Sequence, residues 1–346
     1  MTQTATTDRA ASKPLPRKPW NRHLLAIAVL AVLMVPVPLL LPASQQSIAM
    51  RVLIFALMSV GWNIMSGFGG MFSFGHASYF GLGAYTSAWL LVESEVSPWI
   101  GMAAGVLVAS VFAVVSGFLA LRYRLKGAYF ALATFAFAEM FRLLATNTDL
   151  VNRAEGYHVP LKVDESWWWM QFAPTSPNYF WIALALLIAA LAISVLFLRS
   201  RTGQFALAVR DDQDAAAALG IPVIRYKLLT MALSAAITSV AGAFYVQYYL
   251  FIDPDLAFGS AVSIQAILPA VIGGVGTIWG PVLGAVILGP LSDMTATLLR
   301  NPPEFLAFLA GRGGLDVMIY GVLLIIIILV LPQGIYSAVR ERWFRP

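Results

Sequence analysis

The sequence predicts an all-α, polytopic integral membrane protein with about 8–10 transmembrane helices. Some of these are glycine-interrupted elements that break or re-enter, and one short helix lies on the cytoplasmic side. Three observations carry this. Hydrophobic residues make up 60% of the 346-residue chain and charged residues only 11%, against about 25% charged in soluble domains; the mean hydropathy is +0.79. Apolar runs recur at residues 24–41, 48–66, 72–91, 99–121, 128–145, 179–198, 228–250, 260–272, 278–299 and 315–331. Basic residues then concentrate in alternate connections.

The first run follows a polar leader with Arg9, Lys13, Arg17, Lys18 and Arg22. The leader is long for a secretory signal, so an uncleaved anchor is expected despite the small-residue step at Leu41-Pro42-Ala43. The eighth run, 260–272, is short for about 30 Å of hydrocarbon and is expected to be broken or re-entrant. If every run crosses and the N-terminus is inside, the inner segments are the N-terminal tail, a turn near Gly69, 122–126, 199–227, a turn near Gly274 and the C-terminal tail. They hold 16 of the 22 Lys and Arg residues, which places both termini in the cytoplasm by the positive-inside rule. The outer loops carry Glu93, Glu95, Asp253 and Asp255. The organisation is therefore a basic tail (1–22), a transmembrane domain (23–332) and a basic tail (333–346). Within the domain, 147–178 is the longest outer loop. Its Trp167, Trp168 and Trp169 read either as an interfacial aromatic belt or as a dock for an external partner.

The connection 199–227 is a polar island between long spans. In T-G-Q-F-A-L-A-V-R-D-D-Q-D-A-A-A-A-L-G-I-P (202–222), Asp211 is expected to cap a short helix, with Asp214 reaching back from three residues on. Both carboxylates favour the positive end of the helix dipole. Alanines extend the helix, Gly220 suits a left-handed C-terminal position and Pro222 stops it. The helix, 211–219, would be roughly 12 Å long. It either serves a partner or only joins two spans.

Small residues recur every fourth position at Gly69, Ser73, Ala77 and Gly81, and again at Gly276, Gly280 and Gly284. Each series follows a double glycine, Gly69-Gly70 or Gly273-Gly274, in a faint internal repeat. Such series mark close helix packing, or discontinuous helices beside a substrate path. Pro269, Pro281 and Pro290 are expected to bend the later spans. Ionisable groups within spans are few. Glu139 and Arg142 share a helix face, roughly 20 Å beyond Lys126; they are either a self-neutralised pair or functional charges. Asp293 and His76, beside the glycine turn, are weaker candidates.

Catalytic signatures are missing. There is no cysteine and only three histidines, so neither a thiol nucleophile nor a metal centre is expected. No lysine follows a glycine, so the chain holds no phosphate-binding loop and no nucleotide of its own. Neither H-E-x-x-H nor G-x-S-x-G occurs. Basic clusters flank spans, as topology requires, and point to lipid and not to nucleic acid.

Four ordered blocks carry a resemblance. G-W-N-I-M-S-G-F-G-G-M-F-S-F-G-H-A-S-Y-F-G-L-G-A-Y (61–85), L-K-G-A-Y-F-A-L-A-T-F-A-F-A-E-M-F-R-L (125–143), A-V-R-D-D-Q-D-A-A-A-A-L-G-I (208–221) and I-G-G-V-G-T-I-W-G-P-V-L-G-A (272–285) resemble the branched-chain amino acid ABC transporter permeases. Order, the added N-terminal span and the basic tail resemble the second, LivM-like, membrane subunit more than the first. The resemblance implies a multi-pass subunit of the cell inner membrane that does no covalent chemistry. It would pair with a second permease, two cytoplasmic ATPases that bind the ATP and Mg, and an extracytoplasmic solute-binding protein. Arg210, Asp211, Asp212, Asp214, Ala216, Leu219 and Gly220 would form the ATPase-coupling element. Gly69, Gly70, Ser73, His76, Gly81, Glu139, Arg142, Gly273, Gly274, Gly276 and Gly280 are candidates for the path or for packing. One departure concerns the solute: R-A-E-G-Y-H-V-P (153–160) stands where the family commonly has a T-G-G-x-x-G-like run. Branched-chain or other small amino acids are the expected cargo, with urea or short amides as the alternative. A reading from another class is an ion-coupled secondary transporter using Glu139 and Asp293. A membrane enzyme or scaffold has no supporting motif.

Overall fold

The computed structural model describes residues 20–161, 165–173, 176–300, 321–322 and 334–336. The expected tenth run, 315–331, and most of both basic tails lie outside the described residues.

The chain is all-α. The first run forms α1 (Trp20–Met34) and the short α2 (Val37–Leu40), separated at Val35-Pro36. α3 (Ala43–Asn63) runs into one π turn, Ile64–Phe68. The next five helices are α4 (His76–Ser94), α5 (Pro98–Arg122), α6 (Gly127–Asn147), α7 (Asn178–Arg199) and α8 (Arg201–Asp211). Then come α9 (Gln213–Ala218), α10 (Val223–Tyr249), α11 (Pro254–Phe258), α12 (Ser260–Gly273) and α13 (Gly280–Arg300). The only sheet among the described residues is a two-residue antiparallel pair, β1 (Tyr157–His158) with β2 (Phe251–Ile252).

Among the described residues, seven segments are long and apolar enough to cross a membrane: Asn21–Leu40, Gln45–Phe68, Pro98–Arg122, Gly127–Asn147, Asn178–Arg199, Val223–Tyr249 and Pro254–Gly273. Two expected spans differ. α4 starts at His76, because 70–75 is not helical, and its Ser, Gly and Tyr residues keep it too polar to qualify. The apolar part of α13, Gly280–Met294, is short. The brief eighth run is one continuous helix, α12; the break lies just before it at Gly259 (ψ 152°), and together with α11 it reaches spanning length.

α10 is the central helix and packs on α3, α4 and α5; α3 also meets α7, α12 and α13. This position explains its composition. Thr230, Ser234, Thr238, Ser239 and Gln247 are all buried on α10, beside Phe244 and Met231. Two of these hydroxyls bond the preceding turn of α10: Thr230 Oγ1 donates to Lys227 O at 2.7 Å and Thr238 Oγ1 to Ser234 O at 2.9 Å. α1, α5 and α6 keep broad apolar faces exposed, including Val32, Leu107, Val115 and Leu132, as helices facing lipid or another membrane subunit do.

Loops expected on one side of the membrane gather at one end of the bundle. Gly70 lies against Arg210, and Gly274 against Gly334. The opposite end carries the acidic loops: Ser97 Oγ donates to Trp168 O and Trp99 Nε1 to Trp167 O (2.8 Å), while Tyr157 pairs with Ile252. Trp167 and Trp168 keep their rings exposed there. The departure segment 153–160 is thereby tied to the α10–α11 connection. Burial raises the Tyr157 phenol above its ordinary pKa, and its hydroxyl donates to Leu150 O at 2.8 Å.

Candidate functional site

At the basic end the polar island folds as two helices. Ser200 caps α8, its Oγ accepting from Gly203 N at 3.1 Å. Gly203, Ala206 and Val209 form the buried face of α8, three-residue spacing that seats it on the bundle. The chain then turns extended at Asp212 (φ −152°, ψ 107°), whose Oδ1 accepts from Asp214 N (3.0 Å) and Ala215 N (2.9 Å). The cap of α9 is thus Asp212 and not Asp211. The expected helix, 211–219, shortens to Gln213–Ala218, about 9 Å at 1.5 Å per residue. The physical reason is that α8 runs through Arg210 and absorbs Asp211 as its last residue. Asp211 instead accepts from Arg210 Nε (2.9 Å) and Nη2 (2.7 Å). Asp214 stands in the first turn of α9, where its charge suits the dipole.

The C-terminal expectation holds. Gly220 takes φ +80°, its N–H donates to Ala217 O at 2.9 Å, and Ile221 N donates to Ala216 O at 3.1 Å. This is a Schellman closure, which needs a residue tolerant of the left-handed region. Ala216 is the buried residue of α9, while Leu219 at its tip is 82% exposed.

Arg210 connects this island to both glycine-rich turns. Its Nη1 donates to Gly67 O at 3.0 Å. A Cβ on Gly70, which has φ +69°, would stand 2.7 Å from Arg210 Cγ, and one on Gly276 would stand 3.5 Å from Arg210 Nη1. The two turns are also clamped directly: Asn63 Nδ2 donates to Thr277 O (2.9 Å), and Gly276 N donates to Asn63 Oδ1 (2.7 Å). The two members of the faint sequence repeat therefore meet, and one arginine of the island bonds beside the first and stands close to the second. Asn63 and Thr277 were not singled out in the sequence; a lone Asn inside an apolar span is the signal that could have found the first.

The remaining small residues act as packing. A Cβ on Gly69 would meet Met65 O and Thr230 Oγ1; on Gly81, the Phe258 ring; on Gly273, Gly280 O; on Gly280, Gly274 O. Ser73 is buried, its Oγ accepting from Gly75 N at 3.1 Å. His76 is fully buried at the start of α4, 2.9 Å from Ser234 Oγ through Nε2. Ser234 Oγ donates its single proton to Gly61 O at 2.7 Å, so Nε2 carries the imidazole proton and Nδ1 is left as an acceptor. In this conformation His76 joins α3, α4 and α10.

Glu139 and Arg142 lie apart from this cluster, toward the acidic end. They pair as the spacing predicted, Arg142 Nε donating to Glu139 Oε2 at 2.9 Å, and Arg142 Nη1 also reaches Asp255 Oδ1 at 2.9 Å. Both side chains stay partly exposed. Asp293 lies 3.8 Å from Arg51. Neither carboxylate named for the ion-coupled reading is without a cation.

The comparisons with known proteins agree with the resemblance. Residues 45–330 match the family described as the permease component of the branched-chain amino acid transport system. The chain belongs to this family of multi-pass membrane transport subunits. It is 26% identical, over 92% of its length and 76% of the relative, to the high-affinity branched-chain amino acid transport system permease protein LivM of Salmonella typhimurium. To the LivH protein of Escherichia coli K12 it is 28% identical, over 81% of the chain and 90% of the relative. The L-arabinose ABC transporter permease AraH of Azospirillum brasilense is 27% identical over 65% of the chain. No solved structure matches.

Proposed function

We propose that the chain is one of two membrane subunits of an ATP-driven importer for branched-chain or other small amino acids. The basic end faces the cytoplasm, where α9 docks into two ATPase subunits. The single observation that carries this reading is the island's construction. α9 projects with Asp212, Asp214 and Leu219 exposed, yet its neighbour Arg210 is bonded to Gly67 at the first glycine turn and stands close to Gly276 of the second. A helix that merely joined two spans would need neither the exposed leucine nor the anchor. The cargo class follows the names of the LivM and LivH relatives. The second permease is expected on α6, because the half-exposed Glu139–Arg142 pair on its outward face would be costly against lipid. A solute-binding protein would dock at the acidic end, where β1, β2 and the tryptophan loop gather.

Reconstitution tests the reading. Leucine uptake into proteoliposomes is expected to require the second permease, the ATPases, ATP and an external binding protein, and to exceed uptake of urea or short amides. Transport by this chain alone on a proton gradient would overturn it. In the same assay Asp211→Lys with Asp214→Lys is expected to leave ATP hydrolysis running while uptake falls about tenfold, a typical coupling free energy. Unchanged uptake would reduce the island to a connector.

A further inference from the structure

A cavity of about 260 Å³ opens beside the island, between the α5–α6 turn, the Gly69-Gly70 turn and the start of α9. Its lining includes the apolar Leu121, Leu125 and Phe130 and the basic Lys126, Arg210 and Lys227. No carboxylate lines it. Arg210 has Asp211 as its counter-ion. Lys227 has the uncharged Gln213 Oε1 at 2.6 Å, and among the described residues neither lysine forms an ion pair. Two ammonium groups on one small cavity repel each other until an anion sits between them. Tyr123 and Tyr129, each more than 70% exposed beside the same turn, mark the depth at which aromatic side chains meet lipid headgroups. A basic pocket between membrane helices, with apolar residues in its lining at headgroup depth, has the complementarity of an anionic lipid: phosphate on the cations, glycerol and upper acyl chain on the leucines.

We propose that this cavity binds an anionic phospholipid, its phosphate held by Lys126 and Lys227 and its chain side laid against Leu121, Leu125 and Phe130. The lipid would brace the island, since Lys227 reaches Gln213 of α9 and Arg210 lines the same cavity. Assigning it to the inner leaflet rests on the orientation proposed above; binding itself does not, and it is read without any transport.

The test uses the intact complex in nanodiscs containing equal amounts of phosphatidylglycerol and phosphatidylcholine, with retained lipid counted by native mass spectrometry. Wild type is expected to retain phosphatidylglycerol selectively. Each direct ammonium–phosphate contact in the cavity is worth about 1 kcal/mol, roughly fivefold, so Lys126→Gln with Lys227→Gln should weaken retention roughly 25-fold. Lys126→Arg with Lys227→Arg should keep it, and Arg122→Gln with Arg124→Gln, on the same turn but outside the cavity, should not change it. Lys126→Gln alone, a loop substitution that leaves the Lys227–Gln213 contact in place, should lose roughly fivefold and keeps the test open if the double variant does not accumulate. Equal retention in all variants overturns the proposal. So does displacement of the bound lipid by millimolar inorganic phosphate, which would assign the cavity to a free anion. Loss of the ATPase subunits with lipid retention unchanged also overturns it, because the lysines would then serve a protein carboxylate.

Discussion

Replacing Arg210 with alanine is expected to lower ATP-driven uptake about tenfold or more while the protein still reaches the membrane, within the 5–150-fold span of ordinary coupling energies. The side chain makes a charge-assisted bond to Gly67 O at 3.0 Å, covers Gly70 and approaches Gly276. It bonds beside the first turn of the internal repeat and stands close to the second. Lysine should not rescue, because one ammonium cannot hold Asp211 through two guanidinium nitrogens and Gly67 O through a third. The diagnostic measurement is the ratio of ATP hydrolysed to solute moved. If Arg210 transmits motion, hydrolysis persists and the ratio rises; if it only fixes the fold, both activities fall together with the yield. A wild-type ratio in Arg210→Ala would remove Arg210 from the coupling path.

The island shows what local sequence reveals and what it withholds. Gly220 and Pro222 announced a helix end because turn chemistry is local: φ +80° is open to glycine and strained for other residues. The N-cap was harder. Asp211, Asp212 and Asp214 can all cap, and the choice depends on where α8 stops, which Gly203, Ala206 and Val209 decide by packing on the bundle. The Glu139–Arg142 pair was visible as an i, i+3 step, but its third member, Asp255, lies 113 residues away. Likewise the two glycine series were visible as spacing. That they touch through Asn63, Thr277 and Arg210 depends on separations of more than 140 residues, which no periodicity encodes. Apolar runs located most helices because the bilayer sets both length and composition. They failed at 70–75, where the residues are apolar enough for a span yet the backbone is not helical and is laced into the protein by Trp62 Nε1 to Ser73 O (2.9 Å) and Phe74 N to Thr134 Oγ1 (3.2 Å).

Gly242→Ala and Gly284→Ala are expected to be strongly destabilising substitutions in the bundle. A Cβ on Gly242 would stand 2.0 Å from Phe80 O, where α10 crosses α4, and one on Gly284 would stand 1.9 Å from Pro269 O, where α13 crosses α12. In both cases the obstacle is a backbone carbonyl, which has no rotamer to change, so two helices must separate. Between membrane helices this removes close packing, which there carries what the hydrophobic effect supplies in water. A cost of about 1–3 kcal/mol or more follows for overpacking of this kind. Gly220→Ala provides the contrast: no atom lies within 4 Å of its added Cβ, so only left-handed backbone strain of about 1–2 kcal/mol remains, confined to the end of α9. Thermal unfolding in detergent, followed by the loss of monodisperse protein, should therefore show large decreases for the first two variants. Gly220→Ala should unfold close to wild type and lose uptake instead. If Gly242→Ala melts with wild type while uptake fails, the α4–α10 contact is a moving gate and not a fixed joint, because a seam that opens during each cycle can absorb an added methyl group that a permanent one cannot.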